Sequence, residues 1–395
     1  MHNNYKYLIS ILLFPFFVFY SPIRFVRKRE ISNIHFNNIL VVAFHSGIGD
    51  FIFLSPLFKN LRQKYKDAKI TVLMRGGMND EFLVNNPNVN NILKIRVNEV
   101  GRFELLKYAW NELRRSKYDL LIERNGVSGI IISLFCFLTG AKYRIGINDP
   151  MSGFLNTVNL KKIIQPKWDG KTTFIENHLK VMNVLGQSYY DSKPDIFLPQ
   201  STGPFINDYF KKNMISESNF LIGIHVGSDG PGKGRRWATE NFIGLINRLS
   251  DMNSKIVFFL LCGPAEEEEV GMVYNNCNNQ KVFIFKENMV KTAALIKRCA
   301  IFISNDSMPL HLAITLDVPT IGIFGPTNPF ISYGNNKLFF PLYRHLDCQP
   351  CWTSHIVSCK HNDFRCLNWI SVNNVVDLFI VIMEKRLGIP NIYKN

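Results

Sequence analysis

Residues 38–66 read NILVVAFHSGIGDFIFLSPLFKNLRQKYK, which is a short apolar run, a glycine-containing turn and a stretch with helical periodicity. Residues 220–227, FLIGIHVG, begin a second series of the same kind. In both series, apolar runs typical of strands alternate with helical stretches. Because strand–helix–strand alternation is typical of parallel sheets covered by helices, the sequence predicts an α/β fold.

The strand-like runs fall into two groups. They lie at residues 38–44, 69–74, 91–95, 118–123 and 142–147, and then at 220–227, 256–263, 282–285, 301–306 and 319–325. Residues 191–204, rich in Ser, Pro and Asp, predict a linker between the groups. We therefore expect two Rossmann-like, doubly wound domains facing a central cleft. They are placed at residues 36–195 and 205–370, with a C-terminal helix and tail at 371–395.

The composition limits the classes of partner. Hydrophobic residues make up 47% of the 395 residues, which excludes a mostly disordered chain. The net charge of +15 favours acidic partners such as phosphates or an anionic membrane surface. Lys and Arg form no long block, so the sequence predicts no nucleic-acid partner.

The N-terminus is apolar and then basic. Residues 7–23 are almost entirely apolar but are interrupted by Pro15, and a cluster of four cations ends with Arg29. The run is short for a spanning helix, which needs about 20 residues. We expect residues 1–35 to form a membrane-associating segment, anchored in the bilayer or lying on it, with the cations on anionic headgroups. A helix packed on the protein itself is the alternative.

Three turns that follow strands carry candidate site residues, because ligands of open α/β sheets bind at the carboxyl ends of the strands. The first contains Gly47, Gly49 and Asp50. The two glycines allow a tight turn and a close approach to a ligand. Asp50 could cap the following helix or act as a carboxylate base.

The second turn, GSDGPGKGRRW at residues 227–237, combines glycines with three cations. Exposed backbone N–H groups and clustered cations can bind a diphosphate. The candidates are Gly227, Ser228, Lys233, Arg235 and Arg236, and a solvated basic loop is the alternative.

The third turn, SNDSMPLH at residues 304–311, joins a strand to a helix. The start of a helix offers free N–H groups to an anion. Asp306 could hold a ribose or a neighbouring cation, and Ser307 could either contact an anion or only cap the helix.

Four of the eight cysteines lie close together near the C-terminus. Cys348, Cys351, Cys359 and Cys366 have the spacing C-x2-C-x7-C-x6-C. A structural zinc ion bound by four sulfurs, disulfides and unmodified thiols all remain open.

Together these segments resemble glycosyltransferase family 9, the ADP-heptose:lipopolysaccharide heptosyltransferases of the GT-B fold. Four stretches carry the resemblance in family order: GIGDFIFLSPLFKNLRQKYKDAKITVL, YDLLIERNGVSGIIISLFCFLTGAKYRIGI, IGIHVGS with GRRWATENF, and ISNDSMPLHLAITLDVPTIGIFGPTNP. It covers roughly residues 38–378.

The resemblance implies an inverting transferase that requires no metal ion or other cofactor for catalysis. It would move heptose from ADP-heptose to a lipid-linked glycan of the lipopolysaccharide core. Under the positive-inside rule, the basic cluster that ends with Arg29 predicts that the protein works at the cytoplasmic face of the inner membrane. The N-terminal domain would hold the acceptor and the C-terminal domain the nucleotide-diphospho-sugar donor.

The resemblance also implies roles for single residues. Asp50 matches the proposed general base, and Arg235 matches a cation that offsets charge on the leaving diphosphate. Other matches lie at the donor: Gly227, Ser228, Asp306, Ser307 and His311.

Two positions depart from the family pattern. Met308 stands where glycine is usual, and Lys291 stands where many members have an acidic residue near the donor ribose. A UDP- or GDP-sugar donor therefore remains an alternative. An inactive GT-B-shaped protein that binds nucleotide-sugars is a second one.

Overall fold

The computed structural model describes residues 31–44, 48–76, 81–96, 101–124, 129–147, 153–160, 172–228, 233–352 and 359–387. These residues divide into two compact units. One holds the residues before 161 together with Phe174–Phe197, and the other chiefly those from Leu198 onwards. The apolar residues 7–23 lie outside the described residues.

Among its described residues, the first unit contains six strands and five α-helices. They are β1 (Asn38–Ala43), α1 (Ile48–Lys64), β2 (Lys69–Arg75), α2 (Glu81–Val84), β3 (Asn91–Ile95), α3 (Arg102–Asn111), β4 (Leu120–Glu123), α4 (Ile130–Leu138), β5 (Tyr143–Ile147), β6 (Val158–Leu160) and α5 (Phe174–Val184). The sheet has the order β3-β2-β1-β4-β5-β6, and every pair is parallel.

The second unit repeats this plan. It contains α6 (Thr202–Lys212), β7 (Phe220–His225), α7 (Thr239–Met252), β8 (Ile256–Leu261), α8 (Glu267–Asn276), β9 (Val282–Phe285), α9 (Met289–Ile296), β10 (Ile301–Asn305), α10 (Met308–Thr315), β11 (Thr320–Ile323), α11 (Phe330–Tyr333), β12 (Phe339–Leu342), α12 (Arg365–Asn368) and α13 (Val372–Leu387). Its parallel sheet has the order β9-β8-β7-β10-β11-β12.

In each sheet the first strand in chain order is central, the next two strands lie on one side of it, and the last three lie on the other side. The order reverses between β1 and β4 in the first unit and between β7 and β10 in the second. The helices before and after such a reversal run to opposite sides, which leaves a crevice at the carboxyl ends of the two strands. The predicted α/β class with two Rossmann-like, doubly wound halves is confirmed.

The central strands are buried because helices cover both sheet faces. All residues of β4 and β8 are buried, and β1 and β7 are buried except at their first residues. This explains their continuous apolar runs, which lack the alternation of a half-exposed strand. The sequence therefore indicates the buried central strands more clearly than any other strands.

The structure adds elements that the sequence pattern did not indicate. Strands β6 and β12 occupy sheet edges and have only three and four residues. Helix α6 begins within the stretch taken as a linker. The start of that stretch is also anchored, since Lys59 on α1 pairs with Asp191 and Asp195 at 2.5 and 3.2 Å.

Helix α13 packs on the second unit. Val375, Phe379 and Met383 are buried in the same core as the strand residues of β7 and β8. Just before α13, the Ile370 carbonyl accepts a 2.7 Å hydrogen bond from the indole of Trp237. Within the described residues, no helix is both long and apolar enough to cross a membrane.

A close contact between neighbouring strands yields the first prediction. Gly223 on β7 pairs with Phe302 on β10, and a Cβ added at Gly223 would lie 2.6 Å from the Phe302 ring. Overpacking of this kind costs about 1–3 kcal/mol. Gly223→Ala should therefore lower the midpoint of thermal unfolding, followed by circular dichroism.

Gly271→Ala is the matched control, because Gly271 lies inside α8 with nothing within 4 Å of an added Cβ. Replacing a helical glycine by alanine stabilises by up to about 1 kcal/mol. Equal midpoints for the two variants would contradict the packing described for β7 and β10.

Candidate functional site

The strongest candidate site lies at the carboxyl ends of β7 and β10. These two strands are neighbours, with Ser304 in register with His225. Gly227 and Ser228 follow β7, while Asp306 and Ser307 follow β10. The sheet order therefore brings the second and third predicted turns together at the point where a ligand crevice is expected.

Ser307 occupies the N-cap position of α10, but its side chain makes no capping hydrogen bond. Its hydroxyl lies 2.9 Å from Nδ1 of His225 and 2.9 Å from the hydroxyl of Ser304. The interpretation of Ser307 as only a helix cap is wrong. The hydroxyl belongs to a buried polar cluster instead.

Glu266 continues this cluster beyond the imidazole. Both of its carboxylate oxygens lie 3.0 Å from Nε2 of His225, and the N–H of Gly263 donates to the same carboxylate. Burial acts to raise the pKa of Glu266, but the hydrogen bond and charge of His225 outweigh it and lower the pKa. Glu266 is therefore an ionised carboxylate at neutral pH.

Gly227 is required by this carboxylate. A Cβ on Gly227 would lie 1.9 Å from Oε1 of Glu266, so a larger residue could not coexist with it. From the sequence, the glycine was expected to let the backbone approach a phosphate. The structure gives it a second reason, the close packing of Glu266 on the β7 turn.

Arg235 lies over the same turns. One guanidinium nitrogen is 3.4 Å from Asp306, and the group stacks on the Trp352 ring at 4.7 Å. A second basic contact of Asp306 comes from His311, whose Nε2 lies 4.0 Å away. The structure thus brings Arg235, Asp306 and His311 together around the start of α10.

Arg236 points to a different partner. It forms an ion pair with Glu269 on α8 and donates to the carbonyl of Ser228 at 3.2 Å. These contacts fix the β7 turn. Lys233 lies in a short 3₁₀ segment, and the position of its side chain is outside what the structure describes.

Asn305 connects the parts of the site and was not singled out in the sequence. Its amide donates to the carbonyl of Val226 at 2.7 Å, and its side-chain oxygen accepts from the N–H of Trp237 at 3.0 Å. His225 and Glu266 were missed as well. A polar residue at the end of an apolar strand is the signal that could have identified His225 and Asn305.

The first unit has an equivalent switch point between β1 and β4. Asp50 is the third residue of α1, inside the first turn, and is therefore not its N-cap. Gly49 lies in the same turn, while Gly47 is outside the described residues. Their position after β1 is the one at which an α/β sheet presents ligand-binding groups.

Glu123 and Arg124 end β4 beside this turn and are both 1% exposed. Arg124 donates to Nδ1 of His178 at 3.1 Å and to the carbonyl of Asn177 at 3.0 Å. Burial lowers the pKa of the Arg124 guanidinium to about 10. The sequence indicated the turn after β1 as a candidate site but did not single out these two buried charged residues on the neighbouring strand.

The cysteine cluster does not form a metal site among the described residues. Cys348, Cys351, Cys359 and Cys366 are all free thiols, and burial raises the pKa of Cys366 to about 11. No group of three or more His, Cys, Asp or Glu side chains could hold a metal ion in the part of the chain that is described. Because residues 353–358 lie outside it, the zinc site stays a prediction.

Comparison with known proteins supports the family suggested by the motifs. Glycosyltransferase family 9 (heptosyltransferase) matches residues 107–357, more than half of the chain. Lipopolysaccharide heptosyltransferase 3 of Escherichia coli K12 is 24% identical over 290 residues, covering 71% of this chain and 80% of the relative.

Two solved structures share the fold. The family 9 glycosyltransferase from Veillonella parvula has a TM-score of 0.72 at 21% identity, covering 88% of this chain and 97% of its own. The E. coli ADP-heptose lipopolysaccharide heptosyltransferase II has a TM-score of 0.66 at 17% identity, covering 88% and 99%. The family match, the two doubly wound units and the polar cluster at β7 and β10 lead to one conclusion: the chain belongs to glycosyltransferase family 9 and is a glycosyltransferase.

Proposed function

We propose that this protein transfers heptose from ADP-heptose to a lipid-linked glycan of the lipopolysaccharide core, with inversion and without a metal ion in the chemistry. The polar cluster at the start of α10 carries the proposal. It combines a cation, a helix N-terminus and a buried Ser–His–Glu chain at the switch point of the second sheet. The names of the heptosyltransferase relatives support the sugar, the nucleotide and the acceptor class.

The second unit supplies the groups that a nucleotide diphosphate requires. The N–H groups at the start of α10 and the turn of Gly227 and Ser228 can bind phosphate oxygens. Arg235 can offset the negative charge that grows on the leaving ADP, which is the task of a metal ion in other transferases. The remaining proposed donor ligands are Lys233, Arg236, Asp306, Ser307 and His311.

Asp50 is proposed as the general base of the first unit. An inverting displacement needs one base, which takes the proton of the acceptor hydroxyl as its oxygen attacks the anomeric carbon. Asp50 lies in the first turn of a helix at a sheet switch point. This is the type of position from which a carboxylate can reach a bound acceptor.

A lipid-linked acceptor requires the protein to work at a bilayer, which we place at the cytoplasmic face of the inner membrane. Helix α3 supports this. The α3 surface consists of Phe103, Lys107 and Trp110 on α3 together with Arg114 in the 3₁₀ turn that follows it. All four residues are exposed, and Arg114 stacks on Trp110 at 4.3 Å. Exposed aromatic and basic groups on one side of a helix fit an anionic lipid surface.

Nucleotide binding tests the donor. Calorimetric titrations with ADP, UDP and GDP, each with and without EDTA, should show preferential binding of ADP that EDTA does not change. The reason is that backbone N–H groups and Arg235, and not a metal ion, neutralise the phosphates. A preference for UDP or GDP would contradict the ADP-sugar, and loss of binding in EDTA would contradict the metal-free site.

Arg235→Ala should weaken ADP binding about tenfold or more, the usual effect of losing a charge-assisted hydrogen bond. Arg298→Ala is the control in the same unit. Arg298 contacts Asn207 and Phe210 on α6, away from the turns that follow β7 and β10.

Replacement of the base separates chemistry from binding. Asp50→Ala should lower kcat by about 10²–10⁴-fold, because the acceptor hydroxyl loses its proton acceptor, while ADP affinity stays unchanged. Turnover is measured with a lipid-linked acceptor. Asp67→Ala, at an exposed position in the same unit, is the control, and equal turnover in the two variants would remove Asp50 from the mechanism.

The α3 surface gives a prediction for membrane binding. The double variant Phe103→Ser/Trp110→Ser should weaken binding to phosphatidylglycerol-containing vesicles, measured by sedimentation, by at least about 100-fold. The reason is that two aromatic side chains are lost, and burying each contributes about 1.5–3 kcal/mol. Binding to vesicles of phosphatidylcholine alone should be weak for both proteins.

Trp369→Ser provides a matched control for this experiment. Trp369 is 51% exposed like Trp110, and it also carries a stacked arginine, Arg365 at 5.5 Å. It lies between α12 and α13 in the second unit. Unchanged vesicle binding of the α3 double variant would show that this surface does not face the lipid.

A further inference from the structure

Ser307 is a proposed donor ligand, but His225 and Glu266, which form a buried chain behind it, have no task in the transfer reaction as proposed so far. Ser307 follows β10, His225 ends β7 and Glu266 follows β8. Each of the three residues is less than 10% exposed. Their contacts are 2.9 and 3.0 Å long. Burying a continuous chain of polar side chains costs desolvation energy, which indicates that the chain has a role in the site.

The chain is not that of a serine hydrolase. In those enzymes the imidazole turns Nε2 to the serine and Nδ1 to the acid. Here Nδ1 faces Ser307 and Nε2 faces Glu266, which is the reverse. Ser307 is moreover only 5% exposed. The arrangement suits the orientation of a hydroxyl better than nucleophilic attack.

The number of hydrogens available to Ser307, His225 and Glu266 allows two arrangements of their hydrogen bonds, one with a neutral imidazole and one with an imidazolium. The ionised Glu266 can only accept, so Nε2 of His225 must carry a hydrogen. In a neutral imidazole Nδ1 is then bare, and the single hydrogen of Ser307 points inward, to Nδ1 or to the hydroxyl of Ser304. In this state Ser307 presents only lone pairs to a ligand, which disfavours a phosphate oxygen.

When His225 is an imidazolium, the hydrogen bond between Ser307 and Nδ1 runs in the opposite direction. Nδ1–H then donates to the oxygen of Ser307, and the hydroxyl hydrogen is free to turn towards a phosphate. The positive ring also attracts the diphosphate, while Glu266 stabilises the ring from behind. If a ligand binds the protonated protein more tightly, the protein takes up protons when that ligand binds.

The other charged groups around this cluster are paired with each other. After β10, Asp306 contacts Arg235 at 3.4 Å, and after β7, Arg236 pairs with Glu269 of α8. At the end of β8, burial raises the pKa of the Cys262 thiol, which keeps it neutral. Among the residues that the structure describes, Glu266 is thus the charged group in direct contact with the imidazole.

We propose that His225 and Glu266 are a proton-linked positioning pair, in which protonation of His225 turns the Ser307 hydroxyl outward to donate to the donor diphosphate. The proposal rests on the proposed function in one respect, namely that a nucleoside diphosphate binds at the start of α10. His225 is a positioning residue because it acts through Ser307.

The test is ADP binding to the full-length protein, measured by calorimetry between pH 6 and 9 in two buffers with different ionisation enthalpies. ADP itself titrates in this range, so the result is the difference between wild type and His225→Asn. Wild type should take up a fraction of a proton that the variant does not. Its affinity advantage, about 10–100-fold at low pH, should vanish as the pH rises.

Two further variants keep the test decisive if His225→Asn folds poorly. Glu266→Gln preserves the shape beside Gly227 but removes the charge that supports the imidazolium, so the pH profile should move to lower pH. Ser307→Ala removes the coupled hydroxyl and should reduce the proton uptake. His361→Asn, at an exposed position in the same unit, should behave as wild type.

The possible results distinguish failure of the positioning pair from failure of the proposed donor. Parallel pH profiles and equal proton uptake for wild type, His225→Asn and Glu266→Gln, with ADP bound in each, would overturn the positioning pair and leave the proposed donor in place. Failure of ADP to bind to the wild type at every pH would overturn the donor assignment itself, and the pair with it.

Discussion

The reversal of strand order between β7 and β10 is the constraint on which the candidate site depends. Parallel strands gather all their carboxyl ends at one edge, and the reversal separates the helices there. His225 and Asn305 end these two strands, and Ser307 begins the helix that follows β10. The contacts of Ser307 with His225 and of Asn305 with Val226 follow from this neighbour relation, which joins residues about 80 positions apart. Glu266 reaches His225 from β8, the neighbour on the other side of β7.

The conformation of the turns in the site is stabilised mainly by buried polar side chains that bind the backbone of the turns. The amide of Asn305 binds the backbone of Val226 and Trp237, and the carboxylate of Glu266 binds His225 and Gly263. An unpaired buried polar group costs about 1–3 kcal/mol, so each of these contacts strongly favours one conformation of the loops. The result is a preorganised surface, as binding of a charged diphosphate requires.

The two units share a plan but differ in their chemistry. In the second unit, cations and a helix N-terminus surround the switch point, which suits a phosphorylated donor. In the first, Asp50 follows β1, and the buried residues Glu123 and Arg124 lie at the end of the neighbouring strand β4, which suits a polar acceptor and the removal of a proton. A common fold with two different sites fits a transferase, which must bind two chemically different substrates.

The sequence by itself determined the fold class, the central strands and the turns that carry the candidate site residues. Strands such as β7 and β8 are buried on both faces, so their apolar runs are unbroken, and the glycines and cations after β7 stand out in the sequence. Short edge strands such as β12 left no such pattern, and α6 was hidden in a stretch whose composition is typical of a linker.

Only the tertiary structure decided which polar residues act together. Ser307 has the residue type and position of a helix cap, and nothing local shows that its hydroxyl contacts His225 instead. Gly227 indicates a close approach, but its partner is the carboxylate of Glu266, 39 positions later. The physical reason is that local propensities depend on near neighbours, whereas hydrogen bonds in a buried cluster depend on which strands the sheet order makes adjacent.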